Sequence, residues 1–146
     1  MEPQLNTQPE KKKIKLDFKD SKYATGRRKR SIARVWVKKG SGNIHVNGKK
    51  MVEYFLKANL QTAIFRPLTI AKRENEYDVR CSVKGGGLTG QAGAIIHGLA
   101  RAIVLHEPDL KPTLKKENLT TRDSRAVERK KYGRRKARRS FQFSKR

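Results

Sequence analysis

Lys84-Gly85-Gly86-Gly87-Leu88-Thr89-Gly90 joins a segment of alternating polarity to one of helical periodicity, and Gly85, Gly87 and Gly90 satisfy G-x-G-x-x-G. Bare amides at a helix start, beside a lysine, suit any phosphate, including one in an RNA backbone. The same glycines suit equally well a tight turn that lets a helix approach a sheet closely. A dinucleotide site needs in addition a carboxylate about 20 residues further on, at the end of the next strand. Here Glu107 and Asp109 fall at a helix end beside Pro108, so that carboxylate is misplaced. A phosphate loop of the nucleotide-hydrolase type needs Lys and Ser or Thr where Gln91-Ala92 stand, and that reading fails as well.

Other chemistries find little support. Cys81 stands alone, which excludes an internal disulfide framework and points to a reducing compartment. With only His45, His97 and His106 beside it, no zinc-ligand spacing can be assembled from Cys and His. His97 falls mid-helix with no acid one turn away, Cys81 falls in an alternating strand, and no carboxylate pair flanks a plausible cleft. The expectation is a protein without catalytic residues, metal or cofactor.

Cationic side chains dominate instead. The 146 residues carry 37 Lys plus Arg against 13 Asp plus Glu, a formal net charge of +24. Such a field concentrates polyanions and speeds their capture, without dictating a fold. From Arg129 to Arg146 there are ten Lys or Arg and no acid. A segment so charged cannot offset its ordering entropy by packing on itself, and is expected to take a fixed shape only against dense negative charge such as nucleic-acid phosphate. Tyr132, Phe141 and Phe143 lie there with no core to join, so they suit stacking on bases or riboses, or contact with a neighbouring protein. Arg27-Arg28-Lys29-Arg30 is a second cluster, at a strand start. It reads as an RNA contact more readily than as an edge guarded by charge.

These residues need elements to hold them. Residues 1–22 form a short leader expected to be flexible, 23–121 one domain, and 122–146 an extended basic tail with twelve bases and two acids. About 100 residues suffice for a single core. The chain is extended from Tyr23 to Val37, and Ile44-His45-Val46 is expected to pair back on it after the turn Gly40-Ser41-Gly42-Asn43. Short helical stretches follow over Met51 to Phe55 and Ala58 to Phe65, the second stopped by Pro67. A second hairpin is expected from Leu68 to Lys72 and Glu76 to Lys84, with Tyr77, Val79, Cys81 and Val83 on its core face. Gly90 to His106 has the periodicity of a helix lying on that sheet, and Pro112 can open a last short helix through Glu117. Trp36, Tyr54 and Phe65 are assigned to the core. The fold class is α+β: a mixed sheet in two layers with its helices on one face. No stretch approaches the roughly 18 apolar residues of a membrane span. Residues 1–20 lack a signal's apolar centre and carry acids that transit peptides avoid, so the cytoplasm is the expected compartment.

Four motifs in order carry a resemblance: Gly26-Arg27-Arg28-Lys29 with Ser31 to Val35, Gly85 to Ile95, Thr121 to Arg125 with Val127 to Lys131, and Gln142 to Arg146. Over about Tyr23 to Arg146 the chain resembles the family of small-subunit ribosomal protein number nine, bacterial type. The resemblance implies an α+β domain of the ribosomal protein S-five domain-two kind, with a left-handed β-α-β crossover, seated on ribosomal RNA in the head of the small subunit. It implies a tail threading between RNA helices toward the anticodon stem of the peptidyl-site transfer RNA. Transferred by position, Ser144, Lys145 and Arg146 are the transfer-RNA contacts. The ribosomal-RNA contacts are Arg27, Arg28, Lys29 and Arg30, Lys84 with Gly85, Gly86 and Gly87, Arg122, Arg125, Arg129, Lys130, Lys131, Arg134, Arg135, Lys136, Arg138 and Arg139. Neighbouring head proteins are further partners; a membrane and a small-molecule substrate are not. Ile96 stands where the family frequently has Arg or Lys, and Phe141 where it commonly has Pro. Competing readings are a free nucleic-acid compactor, a phosphate-handling enzyme built on Gly85 to Gly90, and a cationic membrane-surface protein, for which the tail lacks an apolar face.

Overall fold

The computed structural model describes residues 18–145. Five strands and four helices follow one another: β1 (Lys22–Arg28), β2 (Ser31–Lys39), β3 (Ile44–Val46), β4 (Lys49–Lys50), α1 (Met51–Tyr54), α2 (Ala58–Ala71), β5 (Tyr77–Lys84), α3 (Leu88–His106) and α4 (Lys111–Lys116). A 3-10 turn, Pro108–Leu110, connects the last two. The strands form one mixed sheet in the order β1-β2-β5-β3-β4, in which only β3 and β5 run parallel. The class is α+β.

Period-two alternation decides which side of the sheet is buried. Ala33, Val35 and Val37 on β2 and Tyr77, Val79, Cys81 and Val83 on β5 all face the core, whereas Arg34, Arg80 and Lys84 point to the open side. On the core side lies α3, whose Ile95, Leu99 and Ile103 are fully buried. Each such side chain stabilises the fold by roughly 1.5–3 kcal/mol. The helix comes unusually close to β1, because Gly26 meets Ala94 and Gly98 backbone to backbone; a Cβ on Gly98 would lie 2.7 Å from a Val35 methyl. By length and composition α3 could cross a bilayer, contrary to the expectation that no stretch approaches that, but its apolar face is spent on the sheet.

Four local expectations are corrected. The extended run from Tyr23 to Val37 is two strands, folded at Lys29-Arg30 so that Arg28 pairs with Ser31. Lys29 supplies the positive φ of 52° that such a turn requires, a task more common for Gly or Asn, and a solvated tip is where four adjacent cations meet least desolvation. β3 does not return to β2. Its three residues are all buried, and they pair with the middle of β5, Ile44 opposite Val79 and Val46 opposite Cys81. The turn before it is held to β5 by Asp78, whose Oδ1 accepts from the amides of Ser41 (3.0 Å) and Asn43 (2.9 Å). Asn47-Gly48, with φ of 50° and 80°, then folds β4 back on β3.

The third correction concerns Leu68 to Lys72, which is helix rather than strand. Pro67 lies inside α2, where it forgoes one backbone hydrogen bond; continuing for another turn buries Leu68 and Ala71. The helix stops at Lys72 in the left-handed conformation, where the Arg73 amide donates to Leu68 O and the Lys72 amide to Thr69 O, both at 3.0 Å. Finally, Trp36 is not a core residue. It stands on the open face of the sheet, while Tyr54 and Phe65 are half-buried against the core margin.

Candidate nucleic-acid interface

Three segments converge at one end of the sheet: the β1–β2 tip, the glycine turn between β5 and α3, and the root of the tail. Gly85 and Gly86 have φ of 75° and 60°, a backbone that side chains resist. Both pack against the hairpin tip: a Cβ on Gly85 would lie 2.6 Å from Arg30 O, and one on Gly86 would collide with Ser31 Oγ. Ser31, 1% exposed, donates its hydroxyl to Gly85 O at 3.0 Å, and Gln91 Nε2 donates to the same carbonyl at 3.1 Å. The tight-turn reading thus accounts for Gly85, Gly86 and, through its approach to Ser31, Gly90.

Gly87 is different. It is the N-cap of α3, has open space where a Cβ would stand, and makes no side-chain capping bond; the first turn contains no acid. The amides there are free of side-chain caps, as an anion site requires. Beside them is a cleft of about 710 Å³ lined by the hairpin tip, the glycine turn and the tail from Ala126 to Lys130. It brings Lys29, Arg30, Arg129 and Lys130 around Gly86 and Gly87. Glu107 is at the far end of the nineteen-residue α3, accepting from Tyr77 Oη at 2.6 Å and paired with Arg73. It is therefore no ribose ligand for the glycine turn.

The remaining cations divide into those engaged within the chain and those left exposed. Arg28 is turned inward, donating to Arg125 O at 2.5 Å and pairing with Asp123 at 3.1 Å. Arg125 holds the same carboxylate through Nε and an η nitrogen, at 3.1 and 2.8 Å, and also donates its amide to it. The Arg125 side chain and amide, then the Arg28 charge, keep the Asp123 carboxyl well below the usual aspartate range. Arg138 pairs with Glu128 at 2.9 Å, Lys131 with the other Glu128 oxygen at 3.6 Å, and Arg134 donates to Arg138 O and Ser140 Oγ. The Arg135 amide closes the same local loop on Arg139 O. Arg122, Lys136, Arg139, Ser144 and Lys145 are exposed, whereas Arg146 lies outside the described residues, as does most of the leader. Arg27 and Lys84 fall on the open face of the sheet, flanking Ile32 in the strand register.

Side chains that sequence reasoning passed over do much of the positioning. His97 Nδ1 accepts the Arg27 amide at 3.2 Å; burial, and then the neighbouring Arg101 charge, lower its pKa, which favours the neutral acceptor. Arg101 donates to Thr25 O at 2.7 Å and ties α3 to the edge of β1. Asp123 had one legible signal, an acid set between Arg122 and Arg125, but its partner Arg28 is remote in sequence. Ile96 lines a shallow pocket with His97 and Asp123, and Phe141 is exposed.

Residues 26–146 match the family model described as Ribosomal protein S9/S16, and the chain belongs to that family. It is accordingly a structural rather than enzymatic protein of the small ribosomal subunit, one that binds ribosomal RNA in translation and has ribosomal proteins as neighbours.

Proposed function

Starting from that membership, we propose that the domain seats in the head of the small subunit with the cleft between hairpin tip, glycine turn and tail root against ribosomal RNA. Lys29, Arg30, Arg129 and Lys130 meet phosphates there, and the uncapped amides at Gly87 take another. The tail from 122 onward runs between RNA helices and brings Ser144, Lys145 and Arg146 to the anticodon stem of the peptidyl-site transfer RNA. Residues 23–121, together with Lys22 at the start of β1, are the folding unit, and the residues before them are a leader. The connection from β3 to β5 is the left-handed crossover, and the working compartment is the bacterial cytoplasm.

One observation supports the reading above others: from Glu128 to Lys145 the tail has no regular secondary structure, and Tyr132 and Phe143 are left almost wholly exposed. Aromatic groups on a cationic strand, without a surface of their own to rest on, match a segment that is ordered by RNA.

Each neutralised phosphate releases counterions, so binding of the full chain to its ribosomal RNA weakens by roughly 0.7 to 0.9 log units per log unit of salt for each contact. Binding indifferent to salt would sink the electrostatic account. Deleting residues 144–146 is expected to lower peptidyl-site transfer-RNA affinity while subunits still assemble; unchanged affinity would remove that role from the tip.

A further inference from the structure

The open face of the sheet carries cations that none of the contacts above employs. In the strand register Tyr23 stands opposite Trp36, Trp36 opposite Arg80, and Arg34 opposite Ser82. The Tyr23 and Trp36 rings are 5.3 Å apart. Arg34 lies over both, 4.9 Å from the Trp36 centroid and 5.8 Å from that of Tyr23, and Arg80 lies 5.7 Å from Trp36 on the neighbouring strand. These distances are within cation–π range, so both guanidinium groups are held in place while their donor edges stay available. Among the described residues neither has a carboxylate partner.

The charge on this face is one-sided. Arg27, Arg34, Lys38, Arg80 and Lys84 all point outward, against Asp78, whose carboxylate is already occupied by the Ser41 and Asn43 amides. A protein partner would have to neutralise these groups with an acidic surface of its own, whereas a ribose-phosphate chain supplies regularly spaced anions together with flat bases. The face also continues, through Arg27 and Lys84, into the hairpin tip and glycine turn.

We propose that the open sheet face is a second RNA-docking surface, on which Arg34 and Arg80, preset by Trp36 and Tyr23, bind phosphates of a ribose-phosphate segment. It rests on the reading of the chain as an RNA-binding ribosomal protein and extends the contact area from one end of the domain across its sheet.

Trp36 is the single tryptophan of the chain, which makes it a local reporter. Titrating the full-length protein with purified small-subunit ribosomal RNA is expected to change Trp36 emission in step with binding. In the Arg34→Gln, Arg80→Gln double variant, with its far-ultraviolet spectrum and melting temperature unchanged, the salt slope is expected to fall by roughly 1.4 to 1.8, twice the per-contact value. The Arg34→Lys, Arg80→Lys variant, which keeps the charge, is expected to retain most of that slope. Tight binding with unmoved emission and equal slopes overturns the proposal while leaving the RNA-binding reading intact; absence of binding by either protein overturns both. Emission that moves on removing residues 1–17, or on adding neighbouring ribosomal proteins, but not with RNA, assigns the face to those occupants and overturns it too.

Discussion

The guanidinium of Arg28, on the first strand, holds the carboxylate of Asp123, at the root of the tail, at a distance of 3.1 Å. The pair links the first strand to the root of the tail. Replacing Asp123 by Asn is expected to leave the melting temperature nearly unchanged, since a single ion pair near the surface contributes little to stability, and to increase protease cleavage after Arg122 and Arg125. Equal cleavage in both proteins would show that the pair does not hold the tail root.

The same pair has a defined pH window. Because Asp123 is more acidic in the folded chain than a free aspartate at about 3.9, its contribution is fully present above that value and is lost only as pH falls below it, through the lower folded value. Protection of the tail root is therefore expected to persist at pH 4 and fade in more acid solution. Fading between pH 6 and 5 would point to another group.

Contact between β1 and α3 leaves no room for a side chain at Gly26. Gly26→Val forces strand and helix apart and is expected to destabilise the domain by at least about 1–3 kcal/mol, an ordinary overpacking cost, made larger because backbone must move. Chemical denaturation of the free protein reads this directly; a midpoint equal to wild type would contradict the described packing.

Tyr77 donates to Glu107 at 2.6 Å, and this bond, followed by the Arg73 contacts, keeps the Glu107 carboxyl below its usual range, while burial raises the phenol. Tyr77→Phe removes a charge-assisted bond and is expected to cost about 1.5–3 kcal/mol in urea unfolding above pH 5. The deficit shrinks as pH falls through the folded Glu107 value, because the stability that a depressed carboxylate contributes is lost there. A deficit independent of pH would mean that packing, not the bond, was lost.

Burial pushes the Cys81 thiol up to about 12. A thiol-specific reagent at pH 8 is expected to modify it only as fast as the domain opens, with full reaction in denaturant. Rapid labelling of the native chain would show that the β2–β5 core face is accessible.

What could be read beforehand follows the range over which each signal acts. Alternation at Tyr77, Val79, Cys81 and Val83 and helical spacing at Ala92, Ile95, Leu99 and Ile103 arise from burial of one face, and both elements are where the pattern puts them. The partner of β3 was not legible, because three buried residues in a row fit a strand between any neighbours; it pairs with β5, from which Asp78 also holds the preceding turn. Pro67 misled because its local penalty is outweighed by distant burial of Leu68 and Ala71, and the Lys29 turn was hidden because lysine carries no turn signature. At the interface, the glycine turn and the Arg27-Arg28-Lys29-Arg30 cluster were named from sequence, the cluster as a strand start rather than a hairpin tip. The structure brings Lys29 and Arg30 to one cleft with the glycine turn. That Arg28 and Arg125 share Asp123, and that Trp36 carries two arginines on an open face, are relations across strands that composition does not express.

β5 lies between β2 and β3 in the sheet, although it follows both in the chain. A nascent chain that has not yet reached Tyr77 can close its first hairpin but has nowhere to set Ile44–Val46, whose buried side chains stay wet until the missing neighbour slots in. Completion of the sheet is thus one late, long-range event, and a fragment ending before it would offer two loose strand edges to any other unfinished polypeptide nearby.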